Sequence, residues 1–331
     1  MAEINNNYSY IPFEKLNGKN ILVTGACGLI GSAVVDFIIA NQVNCEIYAM
    51  ARNKEKAEKR FSEYLSHARF HVLEGDVNKP IMDNITFHYI VNAASNANPN
   101  AYALDPVGTI WTNINGTRNL LEYGRKHGLE RFLYVSSGEV YGNGDVENWK
   151  ESDSGYIDCM TMRSCYPTSK RAAETLCVAF AHQYGIETVV ARPCHTYGPH
   201  FTDSDTRAYA QFVRKARNHE NIVLKSKGEQ YRSWLYVKDC VSAILAVLLK
   251  GNNCEAYNVA DEKSCITIKD LAESIAEIGG VKVVFDLPDD IEKQGFSVIR
   301  KAVFDTTKLR QLGWSPVYNL REALVETIGN E

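Results

Sequence analysis

Tyr166 and Lys170, in the sequence Tyr-Pro-Thr-Ser-Lys, could together oxidise a secondary alcohol. A spacing of four residues puts both side chains on one face of a helix. A free tyrosine titrates at about 10, but an ammonium group beside the phenol favours phenolate, which could take the alcohol proton. Ser137, one strand-to-helix crossover earlier, could share the hydrogen bond of the reacting hydroxyl. Because such a pair also occurs by chance on helix surfaces, the surrounding elements must decide its meaning.

Strand-like and helix-like segments alternate along the first 192 residues. This rhythm predicts an α/β fold with a doubly wound parallel (Rossmann) sheet, which would place Ser137 at the carboxyl end of a strand, beside the helix carrying Tyr166. Beyond Arg192 the pattern loosens, which indicates a smaller carboxyl-terminal substrate lobe. The predicted domains are a dinucleotide-binding domain over 1–192, with 231–262 returning to it, and a substrate lobe from 193–230 and 263–331.

Three glycines, Gly25, Gly28 and Gly31, follow the first predicted strand and open the first predicted helix. At such a turn, backbone N–H groups and the helix N-terminus can hold a pyrophosphate. Gly25 would permit the tight bend, Gly28 the close approach of a phosphate, and Gly31 the packing of helix on strand. We therefore predict a dinucleotide cofactor, with further contacts from Cys27, Leu29 and Ile30.

The end of the second predicted strand bears on the choice between NAD and NADP. An NAD enzyme usually places an acid there for the ribose 2′-OH, whereas this chain has Arg52 and Asn53. A guanidinium group favours a 2′-phosphate and hence NADP; alternatively, Arg52 only begins a charged, solvated stretch. Asp76, next to Val77, ends the third strand where it could meet the adenine amino group or simply cap a turn.

Composition excludes several classes of function. There are 36 Lys and Arg against 40 Asp and Glu, a formal charge of −4, so nothing indicates nucleic-acid binding. No apolar run is long enough to span a bilayer, and the start lacks an apolar targeting segment, so we predict a cytoplasmic protein with no membrane partner. Nine scattered cysteines without a C-x-x-C pair predict neither a disulfide framework nor a metal site.

Over nearly its whole length the chain resembles the extended short-chain dehydrogenase/reductases that act as nucleotide-sugar epimerases, dehydratases and decarboxylases. The matching motifs are Thr24-Gly-x-x-Gly-x-x-Gly31, Gly75-Asp76, Asn92-Ala-Ala94, Thr112-Asn-x-x-Gly-Thr117, Ser136-Ser-x-Glu-Val-Tyr-Gly142, Tyr166-x-x-x-Lys170, Arg192-Pro-x-x-x-Tyr-Gly-Pro199, Arg232-Ser-x-x-Tyr-Val-x-Asp239 and Leu312-Gly-Trp314.

The resemblance implies a nucleoside-diphosphate sugar that is oxidised at C4, after which the ketone acidifies C5 or weakens a carboxylate bond. The same cofactor then usually returns the hydride. Further residues implied at the site are Ala93, Ala94 and Pro193 at the cofactor and Ser95 at the substrate, besides Ser137, Tyr166 and Lys170. It also implies a homodimer that pairs through helices near 106–127 and 166–184.

Gly138 and Glu139 bear on which reaction follows. The family's 4,6-dehydratases carry Asp-Glu at these positions, and the aspartate protonates the departing hydroxyl, so Gly138 disfavours 4,6-dehydration. Simple 4-epimerases usually have an uncharged residue in place of Glu139. UDP-glucuronate decarboxylases resemble this chain in keeping Glu-Val-Tyr-Gly and an approach like Arg163-Ser-Cys-Tyr166.

We therefore favour decarboxylation or epimerisation of a sugar acid such as UDP-glucuronate. Glu139 would act as a base at C5 or orient the ring; alternatively it only hydrogen-bonds backbone. The other functions left open are an NADPH-dependent ketoreductase, a 4,6-dehydratase and a non-catalytic dinucleotide sensor.

At the substrate end, the resemblance pairs Arg232 with the diphosphate, and a guanidinium fork suits phosphate oxygens. His195 stands where similar proteins usually carry Asn, so it either alters specificity or is a satisfied, partly buried side chain. His200, Arg207 and Lys225 could also contact the substrate, although we expect them to be solvated.

Overall fold

The computed structural model describes residues 6–82, 84–286 and 301–329. Residues 1–5, 83, 287–300 and 330–331, which fall within the two predicted domains, lie outside the described residues.

A seven-stranded sheet, parallel at every neighbouring pair, forms the centre of the protein. From one edge to the other its strands are β10 (Glu255–Val259), β6 (Glu187–Pro193), β5 (Arg131–Val135), β4 (Tyr89–Asn92), β1 (Asn20–Thr24), β2 (Glu46–Ala51) and β3 (Phe70–Glu74). The predicted α/β doubly wound parallel sheet is confirmed.

The central strands are apolar in continuous runs because helices cover both faces of the sheet. In β1, Ile21, Leu22 and Val23 are fully buried, and Leu22 pairs with Tyr48 on one side and Ile90 on the other. The strand order reverses between β1 and β4, and in such sheets the crevice at the reversal is where ligands bind. The predicted cofactor turn and the predicted substrate residue Ser95 both follow these two strands.

The helices are α1 (Leu29–Ala40), α2 (Lys54–Arg60), α3 (Pro99–Leu104), α4 (Pro106–Trp111), α5 (Thr117–Lys126), α6 (Cys165–Tyr184), α7 (Ala208–Arg217), α8 (Val237–Lys250), α9 (Ile268–Gly279), α10 (Thr307–Arg310) and α11 (Leu320–Gly329). The helical stretch near 106–127 is interrupted by a π-helical turn over Thr112–Gly116, between α4 and α5. Within the described ranges, no helix is both long and apolar enough to cross a membrane.

A smaller sheet joins β11 (Cys265–Thr267), β9 (Tyr231–Tyr236), β13 (Lys301–Ala302) and β7 (His195–Tyr197), and β8 (Ile222–Leu224) pairs with β12 (Val283–Phe285). A second apolar core lies among α7, α9 and α11. In the stretch expected to return to the first domain, β10 lies in the large sheet whereas β9 lies in the small one. The domain boundaries stay predictions.

Candidate active site

The turn after β1 is shaped by its three glycines. Gly25 has φ +63°, and a Cβ there would lie 2.7 Å from the Ala93 oxygen and 2.8 Å from the Ala94 Cα. A Cβ on Gly31 would lie 2.3 Å from the Gly25 oxygen, so α1 packs directly on the turn. On Gly28 a Cβ would meet only the Gly25 oxygen, at 3.2 Å, which leaves the outer side of the turn open.

This open side adjoins the first residues of α1, Leu29 and Ile30, whose N–H groups precede the first intrahelical bonds. Cys27 lies between the glycines and is partly buried. An open cradle at a helix N-terminus fits the pyrophosphate of a dinucleotide. The glycine roles predicted from sequence therefore agree with the space around each residue, while the contacts themselves stay predictions.

The ends of β1 and β4 are tied together beside the glycine turn. Thr24 Oγ1 donates to Asn92 Oδ1 at 2.7 Å, and Asn92 Nδ2 donates to Thr117 Oγ1 at 3.1 Å. The Ala94 N–H donates to the same Asn92 oxygen at 3.3 Å. This network fixes the backbone at Ala93 and Ala94, which form the floor of the crevice.

The residues predicted at the adenosine end also serve the chain itself. Arg52 is exposed after β2, and Asn53 Oδ1 accepts the Lys56 N–H at 2.7 Å and so caps α2. Asp76 Oδ1 accepts the Asn78 N–H at 2.9 Å, which is the turn-capping role considered above. Val77 is buried, and a Cβ on Gly116 would come within 2.7 Å of its Cγ2. Contacts of these side chains with a cofactor stay predictions.

The structure brings Ser137, Tyr166 and Lys170 together at the carboxyl end of β5. Ser137 caps a short 3₁₀ helix over Gly138–Tyr141 and is hydrogen-bonded to the Tyr166 hydroxyl. Lys170 Nζ donates to the Val135 oxygen at 2.8 Å and lies 5.7 Å from the centre of the Tyr166 ring. Both helical residues belong to the first turns of α6, as their spacing predicts.

Burial shifts the pKa values of Tyr166 and Lys170. It raises the pKa of Tyr166, and the charge of Glu139 acts in the same direction, whereas the hydrogen bond from Ser137 and the charge of Arg207 lower it. Burial lowers the pKa of Lys170 to about 7, against the opposing effect of Glu174. At neutral pH the phenol is therefore protonated until another positive charge arrives beside it.

Glu139 is held next to Tyr166 through two residues. Its carboxylate accepts a bond from Arg163 Nη2 at 2.8 Å, and the Arg163 guanidinium lies 4.9 Å from the centre of the Tyr102 ring. Tyr102, on α3, stacks on Tyr166 with the ring centres 5.3 Å apart and the planes 24° from parallel. Glu139 therefore has a specific partner, and Tyr102 is a site residue that the sequence did not reveal.

Arg171 fixes the segment that carries Glu139. Its Nε donates to the Val140 oxygen at 2.5 Å, and its Nη2 donates to the Tyr141 oxygen at 3.2 Å and the Gly155 oxygen at 2.9 Å. Because Arg171 follows Lys170 directly, α6 supplies both the catalytic pair and the residue that orients the neighbouring turn.

Cationic side chains line the substrate side. Arg232 is buried, its Nη1 donates to the Tyr231 oxygen at 3.1 Å, and burial lowers its pKa to about 10, opposed by the charge of Glu139. His195 packs on Trp234 with ring centres 5.3 Å apart. Desolvation by the protein around it, followed by the charges of Arg232 and Arg207, lowers the pKa of His195. The residue is exposed, so the alternative of a partly buried His195 is wrong.

The expectation that Arg207 is mainly solvated is wrong. Only 29% of its side chain is exposed, because Asp205 holds its Nη2 at 2.6 Å and the guanidinium turns inwards, where its charge acts on Tyr166. Sequence alone could not show this, because Arg207 lies in a loop before α7. His200 is exposed, and Lys225 is an exposed partner of Asp286, as expected.

Two further predicted residues lie at the same edge of the sheet. Ser95 Oγ donates to Asn113 Oδ1 at 2.8 Å, and Asn113 Nδ2 donates to Ser169 Oγ on α6 at 2.9 Å. Asn113 sits in the π-helical turn, a local distortion that is frequent at functional sites. Pro193 is the last residue of β6 and is buried.

The chain is similar in sequence to known proteins. Residues 21–260 match the family model described as the NAD dependent epimerase/dehydratase family. UDP-glucuronic acid decarboxylase 3 of Arabidopsis thaliana is 34% identical over 309 residues, which cover 92% of this chain and 86% of the relative. UDP-glucuronic acid decarboxylase 1 of Xenopus tropicalis is 31% identical over 313 residues, 94% of this chain and 71% of the relative.

Solved structures share the fold of this chain. The UDP-glucose 4-epimerase of Thermotoga maritima, solved with UDP-glucose, has a TM-score of 0.81 and 27% identity, covering 94% of this chain and 97% of its own. A dTDP-glucose 4,6-dehydratase of Bacillus anthracis, solved with NAD, shares the fold with a TM-score of 0.79 at 24% identity, covering 94% and 96%. Given these matches and the trio of Ser137, Tyr166 and Lys170, the chain is an enzyme that belongs to the NAD dependent epimerase/dehydratase family.

Proposed function

We propose that the enzyme decarboxylates a nucleoside-diphosphate sugar acid through a 4-keto intermediate, with UDP-glucuronate as the first candidate. The observation that carries the proposal is Glu139, a carboxylate fixed by Arg163 beside Tyr166 and preceded by Gly138, which offers no second acid. The decarboxylases among the relatives support the same choice.

In the first half of the reaction Tyr166 takes the proton from the C4 hydroxyl, and Ser137 holds the same oxygen. The glycine turn would hold an oxidised nicotinamide cofactor, which would supply the acceptor for the C4 hydride and a positive charge that favours phenolate at Tyr166. The Lys170 ammonium adds to this effect at 5.7 Å from the ring centre. The Tyr166 phenol therefore stays protonated until a positive nicotinamide lies beside it.

In the second half the new ketone weakens the bond between C5 and the carboxylate. The bond electrons move towards the C4 oxygen, where Tyr166 and Ser137 can hold the developing charge, and carbon dioxide leaves. C5 then takes a proton from water, and Glu139 keeps the ring oriented for that transfer. Return of the hydride to C4 would restore the oxidised cofactor, and Tyr166 gives its proton back to the C4 oxygen.

Arg232, Arg207 and His195 would bind the acidic substrate. Guanidinium groups suit the oxygens of a diphosphate or carboxylate, and both arginines are partly or fully shielded from water, which strengthens such bonds. Because its pKa is lowered, His195 stays neutral at neutral pH and can both donate and accept a hydrogen bond.

The decisive experiment incubates the purified enzyme with UDP-glucuronate and a panel of UDP-, dTDP-, GDP- and CDP-sugars, with products read by mass spectrometry and NMR. We expect UDP-glucuronate to lose the mass of carbon dioxide without added cofactor, and Tyr166→Phe to lose this activity. A product that has lost the mass of water, or stoichiometric consumption of reduced cofactor, would instead support the dehydratase or the ketoreductase. No new sugar from any member would refute the proposal.

We further propose NADP as the preferred cofactor, on the ground that Arg52 is exposed directly after β2. Titrating the cofactor-free protein should give tighter binding of NADP than of NAD, and Arg52→Asp should reverse that order. Equal affinities in both proteins would remove the argument for NADP. We also propose a cytoplasmic homodimer that pairs through the helices near 106–127, which are α4 and α5, and through α6.

A further inference from the structure

We infer that Phe304 determines which reaction can follow C4 oxidation, because its ring occupies the space that a side chain at residue 138 would need. The inference rests on the proposed function, since it concerns the fate of the same ketone. Phe304 follows β13 near the end of the chain, far in sequence from the catalytic turn.

The contact between Gly138 and Phe304 is steric. A Cβ on Gly138 would lie 2.4 Å from Cζ, 2.8 Å from Cε1 and 3.2 Å from Cε2 of the ring. The backbone gives no other reason for a glycine, because Gly138 is not among the residues with positive φ. The Phe304 ring is therefore what a side chain at residue 138 would meet first.

The ring of Phe304 has little freedom to withdraw. It is 3% exposed and packs against Tyr141, which also stacks on Trp149 at 5.2 Å between ring centres. On either side of Phe304 the backbone is bound to Trp149: the Trp149 N–H donates to the Val303 oxygen at 2.8 Å, and the Asp305 N–H donates to the Trp149 oxygen at 2.9 Å.

Asn258, on β10 of the large sheet, links the segments around Trp149, Tyr141 and Phe304 by hydrogen bonds. Its Nδ2 donates to the Trp149 oxygen at 2.8 Å and to the Asp305 oxygen at 3.0 Å, and its Oδ1 accepts the Tyr141 hydroxyl at 2.6 Å. Two backbone bonds to Trp149 and the three bonds of Asn258 thus hold Phe304 against the turn. A larger residue at 138 would have to displace a fixed, buried ring.

The consequence is chemical, because elimination and decarboxylation need different groups. Loss of water from the 4-keto sugar needs a base for the C5 proton and an acid for the departing hydroxyl. Loss of carbon dioxide needs no such acid, since the bond electrons pass into the ketone and the leaving molecule is neutral. Between Ser137 and Tyr141 the catalytic turn carries one carboxylate, that of Glu139, and Phe304 excludes a second one at residue 138.

The first test is steric and needs no turnover. We expect Gly138→Ala to lower the melting temperature of the holoenzyme, and to lower it much less when Phe304→Ala is also present, in a double-mutant cycle. Full stability of Gly138→Ala with Phe304 in place would overturn the inference.

The second test is chemical and uses UDP-glucose, which has a hydroxyl at C6. The variant Gly138→Asp with Phe304→Ala should release a product that has lost the mass of water, whereas the matched control Gly138→Asn with Phe304→Ala should not. A folded Asp variant that loses no water would overturn the inference, as would loss of water by Gly138→Asp with Phe304 intact. If the Asp variant does not fold, the alanine cycle decides.

The two proposals can fail separately. If the wild type leaves UDP-glucuronate unchanged, the proposed function fails. The double-mutant cycle of Gly138→Ala and Phe304→Ala still tests the steric contact, because it does not depend on turnover. If the wild type releases carbon dioxide but the cycle shows no coupling, only the role of Phe304 is lost.

Discussion

Replacing Lys170 with methionine should stabilise the fold while abolishing turnover. Burial lowers the pKa of Lys170 from 10.5 to about 7, which at about 1.4 kcal/mol for each pH unit corresponds to about 5 kcal/mol of lost stability at low pH. Methionine removes this cost but leaves the Val135 oxygen without its donor, at about 1.5–3 kcal/mol for a charged hydrogen bond. We expect a net gain in unfolding free energy of roughly 2–3 kcal/mol near pH 6.

The pH dependence gives the sharper test, because it does not depend on the lost hydrogen bond. The pKa of Lys170 is lower in the folded state, so between about 7 and 10.5 the unfolded chain holds a proton that the folded chain lacks. The wild type therefore gains stability as pH rises through this window, by up to about 1.4 kcal/mol for each unit, and the methionine variant does not gain it. The advantage of the variant should shrink from pH 7 upwards.

The assay is urea unfolding of cofactor-free wild type and Lys170→Met at several pH values from 6 to 9.5. Lys263→Met is the matched control, because Lys263 is exposed and its replacement should change nothing with pH. An advantage of Lys170→Met that stays constant across this range, or a variant less stable than the wild type even at pH 6, would refute the reasoning.

Three other predictions follow from the site and the surface. Tyr166→Phe should reduce kcat by roughly 10²–10⁴-fold with cofactor affinity retained, as measured by steady-state kinetics and a binding titration; undiminished kcat would remove Tyr166 from the chemistry. Arg163→Leu should lower kcat by about tenfold to a hundredfold because Glu139 loses its charged partner. Arg163→Lys should recover part of that loss, and Arg321→Leu, which breaks an exposed pair with Glu277, should have no effect. Val107→Glu with Trp111→Glu should halve the mass seen by light scattering, because these side chains are 62% and 56% exposed on α4, one of the helices proposed to pair; a monomeric wild type would contradict the proposed dimer.

The parts of the site that could be predicted are those set by local sequence and sheet order. Gly25, Gly28 and Gly31 follow a strand and open a helix, so their placement needs only the βαβ rule. Tyr166 and Lys170 share a helix face, and Ser137 follows the end of the neighbouring strand β5. These residues meet because parallel strands deliver their carboxyl ends to one edge of the sheet.

The parts that could not be predicted depend on contacts between distant segments. Tyr102 reaches Tyr166 from the short helix α3, and the charge of Arg207 acts on it from a loop. Neither segment has a periodic sequence pattern that predicts the direction of a side chain. Nothing in the sequence around Phe304 indicates that it faces Gly138, some 160 residues earlier. Arg207 was misjudged because an isolated arginine in a loop is usually solvated, whereas here Asp205 turns it inwards.

The hydrogen bonds between Trp149 and the segment around Phe304 also determine the stage of protein synthesis at which the catalytic site can be complete. The glycine turn, Ser137, Tyr166 and Lys170 all leave the ribosome well before Phe304, and amino-terminal segments begin to fold first. Until the last strand pairs beside Trp149, the turn carrying Glu139 lacks its aromatic support. A nascent chain can therefore form its cofactor cradle early, yet it completes the catalytic turn only after Phe304 has been made, so the oxidising site is finished later than its own residues.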